Sequence, residues 1–240
     1  MKYEYKTRIH SESNLYKDTV LDLEKNKLHK IKNVLRLKTG DKVSVFNDSQ
    51  GEWLGKCKID KNKNSKIICE KLIKKGKKEK GPWLIFSPLK FGRMEWLVEK
   101  ATECGVERLL PAIMNRSVAK KINTKKLREH CISAAEQSER ISIPEMDVLK
   151  SLKDQIEFSL FSRRVILFCD ENVSTPLISH YLKDLNAKNV AIVIGPEGGF
   201  DEGERKYLNS IDNIMICSLG SRILRADTAA LVTIALIQMK

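Results

Sequence analysis

The segment Gly195-Pro196-Glu197-Gly198-Gly199-Phe200 carries the most chemical content in this sequence. It follows the apolar run Val190–Ile194 and precedes a stretch that reads as a helix. Asp201 is placed to cap that helix, and Glu204 stands three residues on, as in a capping box. A tight turn needs one glycine; three glycines around Pro-Glu let a ligand approach the backbone, because no Cβ stands in the way. The pattern G-x-x-x-x-G-K-[ST] is absent, and so is G-x-G-x-x-G with its acidic partner. Glu197 would repel a phosphate, so the loop suits a cationic or polar ligand, and a sulfonium compound fits that description.

A second loop, Leu219-Gly220-Ser221-Arg222-Ile223-Leu224-Arg225-Ala226-Asp227-Thr228, follows the apolar run Ile214–Cys217 and opens the last helix. Asp227 or Thr228 could serve there as an N-cap. Two arginines beside a glycine turn also suit an anion or RNA, so both readings stay open on spacing alone. A third segment, Arg93–Val106, reads as an amphipathic helix closed by Gly105, with Met94, Leu97, Val98, Ala101 and Cys104 on one face. Alone it means core packing plus a solvated face. The polar clusters Asn115-Arg116-Ser117 and Glu136–Arg140 are equally ambiguous. Four scattered histidines and six cysteines without a C-x-x-C pair give no metal-ligand pattern, so no metal is expected.

The elements that must position these loops fall into two regions. Residues 1–72 read as β-rich, with strands at Lys42–Phe46, Trp53–Ile59 and Lys66–Leu72 separated by turn residues, which suggests a small barrel. A helix over Lys25–Arg36 is predicted from Leu28, Ile31, Val34 and Leu35 at helical spacing. The stretch from Lys74 to Gly81 holds five lysines and two glycines and reads as a linker, which sets the expected domains at 1–73 and 74–240. Beyond it strands and helices alternate. Strands are expected at Trp83–Phe86, Arg108–Ile113, Val165–Phe168, Val190–Ile194 and Ile214–Cys217. Helices are expected at Arg93–Cys104, Thr124–Arg140, Pro176–Leu185, Asp201–Asn209 and Asp227–Met239. Short, nearly all-apolar strands are those of a parallel sheet covered on both faces, so this region is α/β.

Hydrophobic residues make up 42% of the 240, enough for a real core. The net charge of +13 attracts polyanions, nucleic acid first, although the Lys, Asn and Ile usage of an AT-rich genome would produce the same charge. No run of 18 apolar residues suggests a membrane span, and the first ten residues lack the apolar core of a signal peptide, so a cytoplasmic location is expected. The cysteines read as small buried hydrophobes in a reducing compartment.

Taken together these segments resemble the RsmE family of ribosomal RNA uridine methyltransferases, within the SPOUT superfamily. The resemblance runs in order through Val34-Leu35-Arg36-Leu37, Gly40-Asp41, Arg93–Val106, Arg116-Ser117, Ala134–Arg140, Gly195–Phe200 and Leu219–Thr228. Ser221 stands where proline is common, and Asp227 where glutamate is common. The resemblance implies a PUA-like β-barrel followed by a SPOUT domain with a parallel sheet and a deep trefoil knot. It also implies S-adenosylmethionine as cofactor, a homodimer with the active site near the subunit interface, and methylation of N3 of a uridine in 16S ribosomal RNA of the small subunit. Carried over by position, three loops would hold the cofactor. They are Phe168-Cys169 into Asp170-Glu171; Ile194, Gly195, Pro196, Glu197, Gly198 and Gly199; and Cys217, Leu219, Gly220, Ile223 and Leu224 on to Thr228. Arg225 would stabilise the uridinate or a neighbouring phosphate, and Asp227 would act as proton acceptor or orienting group. Arg36, Lys38, Arg93, Arg116, Arg140, Arg222 and the linker lysines are the expected RNA contacts. Two alternatives stand beside this expectation: a SPOUT enzyme acting on transfer RNA or on ribose, and an inactive RNA-binding assembly factor.

Overall fold

The computed structural model describes residues 3–22, 36–59, 65–90, 92–171, 175–212 and 214–239. Apart from Arg36, the helix expected over Lys25–Arg36 lies outside the described residues. The chain divides into two compact units, Met1–Glu79 with Ala135–Ile143, and Lys80–Ala134 with Pro144–Lys240. The division after Glu79 falls inside the lysine-rich stretch.

The first unit holds five strands: β1 (Arg8–His10), β2 (Val20–Asp22), β3 (Lys42–Asn47), β4 (Gly51–Ile59) and β5 (Ser65–Lys74). They form one sheet in the order β1-β3-β4-β5-β2, antiparallel except for the β1–β3 pair. Val43, Val45, Cys57, Ile67 and Cys69 point to one side, as period-2 alternation requires, and close over Ile9, Leu15, Leu21 and Leu37. Arg8 and Glu52 form a buried ion pair at 2.9 Å. The same guanidinium donates to the carbonyls of Ala135 at 2.6 Å and Arg140 at 3.1 Å, which anchors the 135–143 segment in this unit. Strands β1 and β2 are three residues long, too short to show a period in the sequence.

The second unit runs β6 (Trp83–Phe86), α1 (Arg93–Glu103), β7 (Arg108–Ile113), α2 (Thr124–Gln137, its last turn counted with the first unit), β8 (Glu145–Met146), β9 (Lys150–Ser151), α3 (Leu152–Phe161), β10 (Val165–Cys169), β11 (Val190–Ile194), α4 (Glu202–Asn209), β12 (Ile214–Cys217) and α5 (Ala226–Gln238). The sheet is parallel throughout, in the order β12-β10-β11-β6-β7-β8, with β9 also on β7. Strand β11 is buried along its whole length, so its five apolar residues face core on both sides. Each of its valine and isoleucine side chains contributes about 1.5–3 kcal/mol relative to exposure.

The two-residue strands β8 and β9 were not expected, and two helical segments differ from expectation. Helix α3 was not foreseen, because its buried face is half polar: Gln155 and Ser159 lie in the core with Leu152 and Ile156. The Gln155 amide nitrogen donates to the Pro111 carbonyl at 3.1 Å and Ser159 to the Gln155 carbonyl at 2.8 Å, so both side chains have a hydrogen-bond partner inside the core. The helix expected over Pro176–Leu185 is instead a short 3-10 turn at Ile178–His180. Its start is drawn away by Ser218, whose N–H donates to the Pro176 carbonyl at 2.8 Å and whose carbonyl accepts from Ile178 at 3.0 Å. On the opposite side Asp170 N–H donates to the Cys217 carbonyl at 2.9 Å. The segment Cys217–Ser218 is therefore hydrogen-bonded to Asp170 on one side and to Pro176 and Ile178 on the other.

Helix α5 packs Ala230, Thr233, Ile234 and Ile237 inward against β11 and α1. Its Gln238 donates to the Gly105 carbonyl at 2.9 Å and so caps the end of α1. Among the described residues no helix is long and apolar enough to cross a membrane.

Candidate active site

A cavity of about 510 Å³ opens at the carboxyl ends of β6, β10, β11 and β12, where parallel α/β sheets place their ligands. Three loops frame it: Cys169–Glu171, Ile194–Phe200 without Gly198, and Ser218–Ala226. Lys90, Arg93 and Ala229 complete the lining.

The Gly195–Phe200 loop is braced from several sides. Gly199 N–H closes a turn onto the Pro196 carbonyl at 2.9 Å. Gly199 has φ +69°, and a Cβ there would collide with the Glu171 carboxylate. A Cβ on Gly195 would lie 2.5 Å from Phe200, whose ring packs edge-on against Phe168 with centroids 4.8 Å apart. The expected capping box is present. Asp201 accepts from Glu204 N–H at 2.7 Å, and Glu204 accepts from Asp201 N–H at 3.0 Å. Asn115 reaches the same pair, donating its N–H to Glu204 at 2.7 Å and its amide to Asp201. The Glu204 N–H and the Asn115 amide hold the Asp201 carboxyl below the usual range. Arg116 donates to the Gly198 carbonyl at 2.9 Å. Arg205, on α4, pairs with Asp170 and, at 2.8 Å, with Glu171, tying the first loop to the helix that follows the second.

The third loop turns at Gly220, where φ is +113°. Arg225, rather than Asp227 or Thr228, occupies the N-cap position of α5, and its side chain makes no capping bond. Asp227 lies inside the first turn and is buried. It accepts from its neighbour Thr228 N–H at 2.9 Å and from Arg93 Nη2 at 3.1 and 3.2 Å to its two oxygens. Arg93 Nη1 pairs with Glu197. Arg222 and Arg225 are exposed, and their side chains have no hydrogen-bond or ion-pair partner among the described residues.

Of the positions expected to face a cofactor, Cys169, Ile194, Gly195, Pro196, Glu197, Gly199, Leu219, Gly220, Ile223 and Leu224 line the cavity. Four do not. Phe168 is fully buried in the core beneath it, Gly198 packs on Arg116, and Thr228 is exposed outside the lining. Cys217 is buried with its Sγ 3.8 Å from Cys169 Sγ; that contact and burial push the Cys217 thiol pKa up. Among the expected RNA contacts, Arg36 and Lys38 are exposed on the first unit and Arg222 on the second. Arg93 and Arg116 are engaged within the site. Arg140 is buried and pairs with Glu79 at 2.9 Å, so its guanidinium is not presented to a phosphate. An arginine beside acidic loops in sequence looks the same whether it faces solvent or a neighbouring carboxylate. Three site residues were not foreseen: Lys90 in the lining, and Asn115 and Arg205 behind it. Arg205, four residues after Asp201, reads in sequence as solvated helix surface.

The model of an RNA methyltransferase domain matches residues 78–238, and that of an RNA methyltransferase PUA domain matches residues 23–68. The ribosomal RNA small subunit methyltransferase E of Mesomycoplasma hyopneumoniae is 31% identical over 179 residues, which cover 71% of this chain and 74% of that one. This chain belongs to the ribosomal RNA small subunit methyltransferase E family. The Rickettsia conorii member of the family is 29% identical over 241 residues, covering 100% of this chain and 96% of the relative. Among solved structures, the Neisseria gonorrhoeae family member bound to S-adenosyl methionine shares the fold, with a TM-score of 0.84 over 98% of both chains at 23% identity.

Proposed function

We propose that this chain methylates N3 of a uridine in 16S ribosomal RNA of the small subunit, with S-adenosylmethionine as methyl donor. One observation carries the reading: the cavity framed by Cys169–Glu171, Ile194–Phe200 and Ser218–Ala226, with two partnerless arginines at its edge, in a member of this family. The lining fits the donor. Its volume lies within the roughly 300–1,000 Å³ range of small-molecule sites. The Ile194–Gly195 and Leu219–Leu224 segments bring backbone to the cavity for reading an adenine, and the acids Asp170, Glu171 and Glu197 suit a ligand with positive charge. S-adenosylmethionine supplies a methyl group carried on a positively charged sulfur.

The remaining work belongs to the chain. Nucleophile, methyl and sulfur must lie in line, so the loops act first by positioning. Uridine N3 lies on the Watson–Crick edge and carries a proton, so the base must be unpaired and the proton must leave. Arg225 presents a fixed positive charge at the cavity wall, where it stabilises the uridinate or the adjoining phosphate. Lys90 and Arg222 add positive charge to the same rim and suit the RNA backbone, as do Arg36 and Lys38 on the first unit.

The bonds on both sides of Cys217–Ser218 are those a threaded chain needs, which supports a deep trefoil knot in the second unit. Val232, Leu236 and, just past the helix end, Met239 form an exposed apolar row along α5, which supports a homodimer. Bacterial ribosomal RNA relatives support a cytoplasmic location. The test is methylation of small subunits and of free 16S RNA with labelled donor, followed by mass mapping. One uridine that gains a base methyl is the expected result; no incorporation, or a ribose methyl, refutes the reading.

A further inference from the structure

Arg93 opens α1 and is held in place from behind. Gly92, at φ +86°, ends the connection from β6, and its N–H donates to Glu95 Oε2 at 2.7 Å. Lys126 of α2 pairs with Glu95 Oε1 at 3.0 Å. Burial alone would raise the Glu95 carboxyl; the backbone N–H groups and Lys126 outweigh it and keep it below the usual range. The first turn of α1 is therefore a fixed base. From it the Arg93 guanidinium enters the cavity lining and uses both arms of its fork. Nη1 takes Glu197, in the loop after β11; Nη2 takes both oxygens of Asp227, in the first turn of α5. The side chains of Arg93 and Asp227 are 28% and 11% exposed, so this pair is partly withdrawn from water. It is stronger than an exposed surface pair for that reason.

We infer that Arg93 is a positioning residue for methyl transfer, because its planar fork fixes the distance between the Glu197 loop and the start of α5, which together form two walls of the donor pocket. Asp227 is then an orienting group acting through Arg93. Arg93 contacts both of its oxygens, Thr228 N–H adds a bond to Oδ1, and Asp227 is absent from the cavity lining, which favours an orienting role over direct acceptance of the uridine proton. A lysine carries the same charge without the rigid two-armed geometry and cannot reproduce the spacing. The inference rests on the methyltransferase reading above and deepens it.

The test uses the full chain with Arg93→Lys, Arg93→Gln, Asp227→Asn and the Arg93→Gln/Asp227→Asn double variant. Four quantities are read: melting temperature, Kd for S-adenosylmethionine by calorimetry, Kd for 16S RNA with its salt dependence, and kcat. Both Arg93 variants are expected to weaken donor binding about tenfold and to lower kcat roughly 10–100-fold, since misplacement of this order costs about 10²-fold. RNA affinity and its salt slope stay at the wild-type values. The double variant loses no more than the worse single one, because both changes break one link. A weaker RNA affinity with a salt slope reduced by about 1 and unchanged donor binding would make Arg93 a phosphate contact and overturn the inference. Full kcat in Arg93→Lys, or a lower melting temperature as the sole effect, overturns it too. A wild-type chain that binds the donor and methylates no RNA overturns the function and not the role of Arg93. Equal donor affinity in wild type and Arg93→Gln does the reverse.

Discussion

Gly199→Ala probes how closely two of the pocket loops approach each other. The residue has φ +69°, and a left-handed conformation costs a residue with a Cβ about 1–2 kcal/mol. The added Cβ also meets Glu171 Oε1, the far end of a flexible side chain, so the carboxylate yields rather than the backbone. Yielding breaks its pair with Arg205, whose side chains are 25% and 49% exposed, worth about 0.2–1 kcal/mol at that exposure. The sum is about 1–3 kcal/mol, which at about 2–4 °C per kcal/mol lowers the melting temperature by roughly 2–12 °C. Glu171 lines the cavity, so its displacement should also weaken S-adenosylmethionine by about tenfold, equivalent to 1.4 kcal/mol. Calorimetric titration in two backgrounds separates strain from collision. In a Glu171→Ala background the obstructing carboxylate is gone, and Gly199→Ala should cost stability and leave donor affinity nearly unchanged. Equal loss of affinity in both backgrounds would refute the collision argument. No loss of stability in either would refute the strained turn.

Three further outcomes follow from the same geometry. Arg225→Ala should lower kcat roughly 10²–10³-fold, the loss typical of one charge-stabilising group, and wild-type turnover would remove it from the mechanism. Leu236→Glu on the exposed row of α5 should give monomers in sedimentation, since loss of two leucines from a two-fold interface removes about 3–6 kcal/mol; an unchanged sedimentation coefficient would remove α5 from the interface. Glu107→Ala should destabilise by about 3–5 kcal/mol at pH 7, because buried Arg164 loses its partner at 2.8 Å. Burial alone would raise the Glu107 carboxyl, but Lys80, Arg164 and Gly81 N–H outweigh it and hold it below the usual range. Its contribution is then fully present above the unfolded value near 4.3 and lost as pH falls through the lower folded value. The melting-temperature gap between wild type and variant should close below about pH 4; a gap constant from pH 7 to pH 3 would contradict this.

The strands of the second unit were legible because a parallel strand covered on both faces is apolar at every position, as in Val190–Ile194, Val165–Cys169 and Ile214–Cys217. The Gly195–Phe200 loop was legible too, since glycine spacing and a capping box are local signals; Asp201, Glu204 and the close packing at Gly195 and Gly199 bear that out. Helix α3 was hidden because Gln155 and Ser159 interrupt its apolar face, and Gln155 meets the Pro111 and Val148 carbonyls only in the folded chain; the stretch Pro176–Leu185 lost its helix to bonds with Ser218, about 40 residues away in sequence and visible only in three dimensions. The site divides the same way. Most of the lining in the Ile194–Phe200 and Leu219–Leu224 loops could be read from the sequence, while Lys90 could not. Which arginines are free could not, because Arg93, Arg116, Arg140, Arg222 and Arg225 carry the same charge in the sequence. The tertiary structure alone settles that the exposed Arg222 and Arg225 side chains line the cavity without a partner among the described residues, while Arg93 uses both arms of its fork to hold Glu197 to Asp227. A side chain's role depends on the charges it meets across the fold, and chain order does not specify those meetings.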